Sequence, residues 1–395
     1  MDSCATLRLP VTGYGIRYEY GMFRQVIEDG RQHEEPDHWL VNGNPWELER
    51  PEYVQQIQFG GRTYHDIDHN GEKRVRWIET DDILAIPFDV PVSGNNNNVV
   101  NTLRLWKATA TDVFNLEEFN AGSYPEAVAQ KNDAEHISMV LYPNDASENG
   151  KELRLRQQYF LASASLKDIF RQWEKVEGRD YSNFAAQNVF QMNDTHPTIA
   201  VAELMRILVD EKRLTWQTAW DITTHTMAYT NHTLLPEALE KWPVRLFEKM
   251  LPRHLEIIYK INADFLHQVA MRWPGDVRRI RRMSIIEEGD ERMVRMAYLA
   301  IVGSFSVNGV AALHSALIRN GLFADFYQLW PEKFNNKTNG VTPRRWLAHA
   351  NPLLAELISD TIGTEWISEL SRIEALKAFA SKRSNKFLKR WREVK

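Results

Sequence analysis

The chain has one cysteine, Cys4, among 395 residues, so an internal disulfide framework is excluded and a reducing compartment, the cytoplasm, is the expectation. No apolar run approaches the roughly 18 residues that a membrane span needs. The first residues, Met1-Asp2-Ser3-Cys4, lack the charged and then apolar regions of a secretory leader. Positive charge is not in excess either: 48 Lys and Arg against 53 Asp and Glu leave a formal net charge of −5. That balance offers no general attraction to nucleic acid or an anionic membrane, and neither is expected as a partner. No segment recurs at a fixed period, which excludes solenoids and propellers.

What is present is enough apolar residue, 43%, for a full core. Strand signals fill the region from residue 52 to about 107: Tyr53 to Phe59, Arg74 to Glu79, Ile83 to Val90 and Thr102 to Trp106. Asn70-Gly71 and the polar run Ser93 to Asn98 read as hairpin turns between them. Beyond residue 123 the texture is helical, with segments expected near 124–140, 150–175, 198–211, 215–228, 236–249, 252–272, 309–319 and 344–361. One strand, Asn188 to Met192, is expected to interrupt them, running into Asn193-Asp194-Thr195-His196-Pro197. Strand, polar turn and helix-opening proline make the crossover of a parallel sheet, so the class is α/β. The division expected is a strand-rich part, 1–122, and a helix-rich α/β part, 123–395. Cys4 to Leu7 reads as the end of a helix and Trp391 to Lys395 carries no stop signal, so the chain is expected to begin and end in mid-fold.

Several clusters carry chemistry. Asp194 and His196 fall just past the carboxyl end of a strand, where open α/β sheets bind ligands; an Asp capping the next helix is the plainer alternative. Tyr229-Thr230-Asn231-His232-Thr233 packs five hydrogen-bonding side chains between two helical patterns, although Asn and Thr are also ordinary loop residues. Asn335 to Gly340 leads to Thr342 as cap and Pro343 as first helical residue, before the apolar stripe Trp346, Ala350, Leu353, Leu354 and Leu357, which marks Trp346 as core. Arg344 and Arg345 beside that helix start suit a phosphate, or more simply salt bridges. The basic run Arg278 to Arg282 carries no nucleic-acid module signature. His65-Asp66-Ile67-Asp68-His69 resembles the exposed face of a hairpin more than a metal site, and no metal is expected.

Gly13 to Gly21, Thr102 to Trp106, Asn193 to Pro197, Tyr229 to Thr233 and Lys337 to Trp346, taken in order, resemble the glycogen/starch/maltodextrin phosphorylase family. Linking strings agree: Leu141 to Asp145, Gly150 to Arg156, Leu251 to His254 and Val307 to Val310. The resemblance implies most of the Rossmann-like N-terminal lobe of a two-lobed glycosyltransferase, with an added β-rich region. It implies reversible phosphorolysis of the terminal α-1,4-linked glucose of a glucan to α-glucose 1-phosphate, with retention, and pyridoxal 5'-phosphate as cofactor acting through its own phosphate. By motif, His232 and Asn339 bind the glucose 6-hydroxyl, and the His232 carbonyl lies near the developing positive charge. Asp194 and His196 line the catalytic pocket, Thr233 and Glu240 extend that wall, Trp346 flanks the cofactor and Asp145 lies on a loop gating access.

The departures are as specific. The family's Gly-rich loop would precede Asp2-Ser3, and its second lobe, which brings the Schiff-base lysine, would follow Lys395; neither role can be given to a residue here. Ala146-Ser147-Glu148-Asn149 lacks the aromatics of animal gating loops, and Asp168-Ile169-Phe170-Arg171-Gln172 keeps one arginine where regulated animal enzymes have two. A bacterial type with weak or absent allosteric control, inactive as an isolated chain, is expected, with a homodimer possible by family habit. The alternative is a non-catalytic glucan-binding lobe or a half-enzyme completed by a partner; the motifs disfavour a nucleotide-sugar transferase.

Overall fold

The structure, a computed structural model, describes residues 1–67, 71, 73–111, 129–141, 147–380 and 385–395. These cluster into two compact units, one of residues 14–88 and 105–338, the other of residues 1–13, 89–104 and 339–395. The division expected at 122/123 falls outside the described residues, as does the Tyr142–Ala146 stretch with Asp145.

The larger unit contains the main hydrophobic core, to which Ile57, Trp106, Tyr159, Phe160, Phe247 and Val307 all contribute, each no more than 1% exposed. Its longest element is the helix Glu148–Glu177. Ser147 starts it by accepting the Gly150 N–H, and Gly178, at φ 66°, ends it in a conformation that costs glycine little. One face buries Leu155, Tyr159, Leu166, Phe170 and Trp173.

The strands expected in the first hundred residues are present with shifted edges. Gln55–Phe59 pairs antiparallel with Asp81–Ala85, and Arg62–Ile67 pairs antiparallel with Lys73–Ile78. Tyr53 is in a 3-10 turn, Pro51–Tyr53, rather than a strand. On that second ribbon His65 is exposed and hydrogen-bonds Glu256, while Asp66 pairs with Arg76. The Asp66–Arg76 pair spans the ribbon, whereas the His65–Glu256 bond ties it to the helix Pro252–Arg272.

The helix-rich part departs more. In place of one strand there are four short parallel ones, ordered Phe190–Asn193, Met227–Thr230, Ser306–Gly309 and Phe334–Asn336. A buried strand of three or four residues has no two-residue alternation to betray it, so its apolar letters merge into the neighbouring helical pattern. The helix expected at 215–228 stops at Thr226, and Tyr229 and Thr230 belong to a strand, not to a loop between helices. The segment 236–249 is a 3-10 turn, a three-residue strand and the helix Val244–Met250. The segment 198–211 is the helix Ala200–Arg206 widening into a π turn over Ile207–Glu211. The helix placed at 309–319 begins at Ala312, after the Ser306–Gly309 strand. Pro252–Arg272 matches its expectation.

A charged network lies inside this unit. Glu203, 0% exposed, accepts from Arg206 Nε at 2.6 Å and Ser163 Oγ at 2.7 Å, and its Oε2 is 2.6 Å from His254 Nε2. Burial opposes charge on Glu203, but Arg206 and His254 outweigh it and hold the carboxyl far below the usual carboxylate range. Burial lowers the His254 pKa, so the ring is read as neutral, donating through Nε2.

In the smaller unit the 89–104 segment is a hairpin, as its Asn-rich turn suggested: Gly94 N–H donates to Val99 O at 2.9 Å, and the buried Arg104 and Asp89 pair in a two-pronged bridge. Arg344 donates to Asp2 and to Ile367 O, the salt-bridge use foreseen for it. Trp346 is not core but 65% exposed, and Leu353 is 60% exposed. The stripe assumed one straight helix over 344–361. The backbone instead makes a wide π turn, Arg344–His349, then restarts as Pro352–Ile362 with Asn351 capping Leu354 N–H, which takes the two halves of the stripe out of line.

Candidate active site at the carboxyl ends of the parallel strands

The parallel register aligns Asn193 with Thr230, Thr230 with Asn308 and Asn308 with Asn335, so one polar row crosses the carboxyl end of the sheet. Thr230 Oγ1 donates to Asn308 Oδ1 at 2.8 Å, and Asn231 N–H donates to Asn308 O at 3.0 Å. Loops leaving those strands carry the candidate residues, the usual place for a ligand in an open α/β sheet.

Asp194 is the first residue past its strand, at φ 65°, a left-handed conformation in which Asp is among the few tolerated side chains. Its Oδ1 accepts from the adjacent Thr195 N–H at 2.7 Å. The following helix begins only at Ala200, so Asp194 is not its cap.

Glu240 gathers the wall. Its side chain is 10% exposed and accepts from Arg154 Nη2 at 3.0 Å, Gln158 Nε2 at 2.8 Å and Thr195 Oγ1 at 2.8 Å, with His196 Nδ1 at 3.1 Å from Oε1. Burial alone would raise the Glu240 pKa, but His196, Thr195 and Arg154 prevail and lower it. The same hydrogen bond to Glu240, with Asp194 assisting, raises the His196 pKa despite partial burial. A raised histidine pKa means the pair is at full strength below the ordinary histidine range and is lost as pH climbs through the folded-state value. We expect His196 in ring-proton NMR titrations to have a midpoint above about 6.5, the unperturbed histidine value, and Glu240→Gln to bring it down; an unchanged midpoint in that variant would contradict the pairing.

His232 is exposed, two residues past the Met227–Thr230 strand, with Nε2 2.6 Å from Asn193 Oδ1. A carboxamide oxygen can only accept, so Nε2 is assigned the proton and Nδ1 of the neutral ring is left as an acceptor. Thr233 makes a local turn, its Oγ1 accepting from Leu235 N–H at 3.2 Å.

Asp194, His196 and Glu240 are therefore one connected group, and His232 joins it through Asn193, the residue before Asp194. Asn339 and Trp346 belong to the smaller unit, where both are exposed. Sequence reasoning missed Arg154, Gln158, Asn308 and His314. The first two stand four apart on the Glu148–Glu177 helix, a spacing that puts them on one face and was a usable signal. His314 accepts from Val310 N–H through Nδ1 at 3.0 Å, beside the end of the Ser306–Gly309 strand, and nothing in its apolar helical surroundings marks it.

Fold and site define a class: an α/β protein with a partly buried, hydrogen-bond-rich candidate site on the loops at the carboxyl ends of a parallel sheet. Comparison with known proteins makes this particular. The family model described as carbohydrate phosphorylase matches residues 1–395, and the chain belongs to that family. It is 51% identical over 391 residues to the muscle form of glycogen phosphorylase from Bos taurus, covering 97% of this chain and 46% of that protein. It is 54% identical over 383 residues to the brain form from Homo sapiens, covering 95% of this chain and 45% of that protein. It is 54% identical over 380 residues to a glycogen phosphorylase from Synechocystis, covering 96% of this chain and 45% of that protein. The chain thus spans about half the length of the curated relatives it matches, and animal and cyanobacterial relatives match it to a similar degree.

Proposed function

We propose that the chain supplies the sugar-holding part of an α-1,4-glucan phosphorylase, which transfers the terminal glucose of glycogen or maltodextrin to inorganic phosphate as α-glucose 1-phosphate. The observation that carries the reading is His232: an imidazole fixed by Asn193, with an acceptor nitrogen left over, beside the Asp194–His196–Glu240 wall. In this reading Nδ1 accepts a hydrogen bond from the glucose 6-hydroxyl, and Asn339 keeps, by resemblance alone, its expected role as a glucose-binding residue. The negative charge of Asp194 favours the positive charge that grows at the anomeric carbon as the glycosidic bond stretches, whereas Glu240, already paired with Arg154 and His196, holds His196 in place. Arg154 and Gln158 hold Glu240 in place, so it needs no reorganisation as that charge appears.

The architecture we infer is the Rossmann-like lobe of a two-lobed transferase, working in the cytoplasm, with a homodimer and weak allosteric control as further expectations from the resemblance. Pyridoxal phosphate, by the resemblance, would act through its own phosphate group. Trp346, the residue expected beside that group, is 65% exposed, and no lysine among the described residues is assigned as its anchor. No step above depends on it. The test is whether the chain, mixed with the remaining portion of a glycogen phosphorylase, makes glucose 1-phosphate only when inorganic phosphate is supplied; phosphate-independent release of free glucose would overturn the reading.

A further inference from the structure

The Glu240 carboxylate is held by Arg154, Gln158, Thr195 and His196, but its main chain is held from elsewhere. Glu240 immediately precedes the strand Lys241–Pro243, which pairs antiparallel with Met293–Arg295, and that strand pairs in turn with Ile286–Glu287. Glu240 O accepts from Met296 N–H at 3.1 Å, one step beyond the register pair of Lys241 and Arg295. This small sheet therefore sets where Glu240 stands.

Side chains alternate between the two faces of such strands. Trp242, Val294 and Ile286 are buried on one face, which leaves Lys241 and Arg295 opposed on the other. Like charges in directly opposed positions destabilise a sheet. Glu287 resolves the conflict: its Oε2 is 2.8 Å from Lys241 Nζ and its Oε1 3.2 Å from Arg295 Nη2. Burial opposes charge on Glu287, but Lys241 and Arg295 outweigh it and lower its pKa. An isolated surface pair of this kind contributes little. This triad differs because one end is anchored. Arg295 Nη1 also meets the carbonyl oxygens of Ser284, Arg282 and Arg281, at 3.1, 3.2 and 3.5 Å, and the guanidinium lies 5.1 Å from the centroid of the Tyr298 ring. Glu240 borders a cavity of about 160 Å³ together with Lys241, Glu287 and Arg295, so on that side the triad spans a gap that close packing leaves open.

We propose that Glu287 is a positioning residue of the candidate active site: by tying Lys241 to the anchored Arg295 it fixes the strand that presents Glu240, and through Glu240 it fixes the His196 ring. That this serves a phosphorylase rests on the proposed function; that the triad places Glu240 rests on the geometry alone. The charged groups acting on His196 are Glu240, Asp194 and Arg154, so the influence of Glu287 on that ring passes through Glu240.

The experiment is the ring-proton NMR titration of His196 in the full chain, in Glu287→Gln, in Lys241→Met, and in each of these combined with Glu240→Gln. Both single substitutions are expected to lower the midpoint toward that of Glu240→Gln, Lys241→Met by less, because it cuts the tie without leaving two facing cations. In the Glu240→Gln background neither should move it further, as expected of changes that act through one shared contact. Lys241→Met gives the sharper sign, since losing a cation through space alone would raise the midpoint, and it carries the test by itself should Glu287→Gln not fold. In the chain combined with the remaining portion of a glycogen phosphorylase, Glu287→Gln should lower kcat/KM by at least about tenfold, within the range that a displaced active-site group costs. An unchanged midpoint in Glu287→Gln, a rise in Lys241→Met, equal shifts with and without Glu240, or an unaltered kcat/KM beside a lowered midpoint would each overturn the proposal. The titration requires no turnover, so failure of the phosphorylase reading would show separately, as the absence of glucose 1-phosphate from the unsubstituted chain while the His196 midpoint still responds.

Discussion

Glu203→Ala should cost the chain about 3–5 kcal/mol of folding stability, the usual penalty for breaking a buried ion pair from one side. The carboxylate is fully buried and takes hydrogen bonds from Arg206, Ser163 and His254. Removing it leaves the Arg206 guanidinium, itself 4% exposed, with Glu211 as its remaining carboxylate partner, and that partner is 38% exposed. Urea unfolding followed by circular dichroism measures the loss; a change within about 1 kcal/mol would rank with ordinary surface substitutions and contradict the picture. The network also fixes the sign of the acid response. Glu203 and His254 both have pKa values depressed by folding, so the unfolded chain binds more protons than the folded one as pH falls. Their contribution is complete above the ordinary histidine range and is lost progressively as pH drops through it and then through the carboxylate range. In Glu203→Ala the carboxylate part of that acid sensitivity should disappear.

The second large effect is on turnover. His232→Ala in the assembled enzyme is expected to lower kcat/KM by about a hundredfold, the scale of losing one positioned hydrogen-bonding group at a reacting sugar. Folding should scarcely change, because the side chain is exposed and is held only through Asn193 among the described residues. A substrate lacking the terminal 6-hydroxyl separates a specific contact from general damage. It should be poor with the native chain and should make no further difference in the variant, as expected of two changes that delete the same interaction. Independent, additive losses would remove His232 from that contact.

How much of this was legible in the sequence depended on what signal each element leaves. Long helices with a wide apolar face, such as Pro252–Arg272, were read to the residue because many periods average out single exceptions. The parallel sheet was mostly missed, because Met227–Thr230 and Ser306–Gly309 are four residues each with three of the four buried, and so look like pieces of the adjoining helices. Trp346 was misjudged for the converse reason: its stripe was real as a pattern, but a π turn and a new cap at Asn351 break the geometry that the pattern presumes. At the site, motif resemblance named Asp194, His196, Glu240 and His232, while the residues that hold them, Arg154, Gln158 and Asn193, became evident only as hydrogen bonds. The candidate residues and two of their supports, Arg154 and Asn193, sit in recognisable strings, but a string does not say which side chain reaches which. Only the folded chain brings those supports to the site.

The most direct measurement is the fate of phosphate. The chain is combined with the remaining portion of a glycogen phosphorylase, pyridoxal phosphate, glycogen and inorganic phosphate, and the mixture is followed by ³¹P NMR. The account predicts α-glucose 1-phosphate, formed in proportion to the phosphate supplied and suppressed in His232→Ala. Glycogen breakdown to free glucose without phosphate uptake, or sugar phosphate formed equally well by the His232→Ala chain, would contradict it.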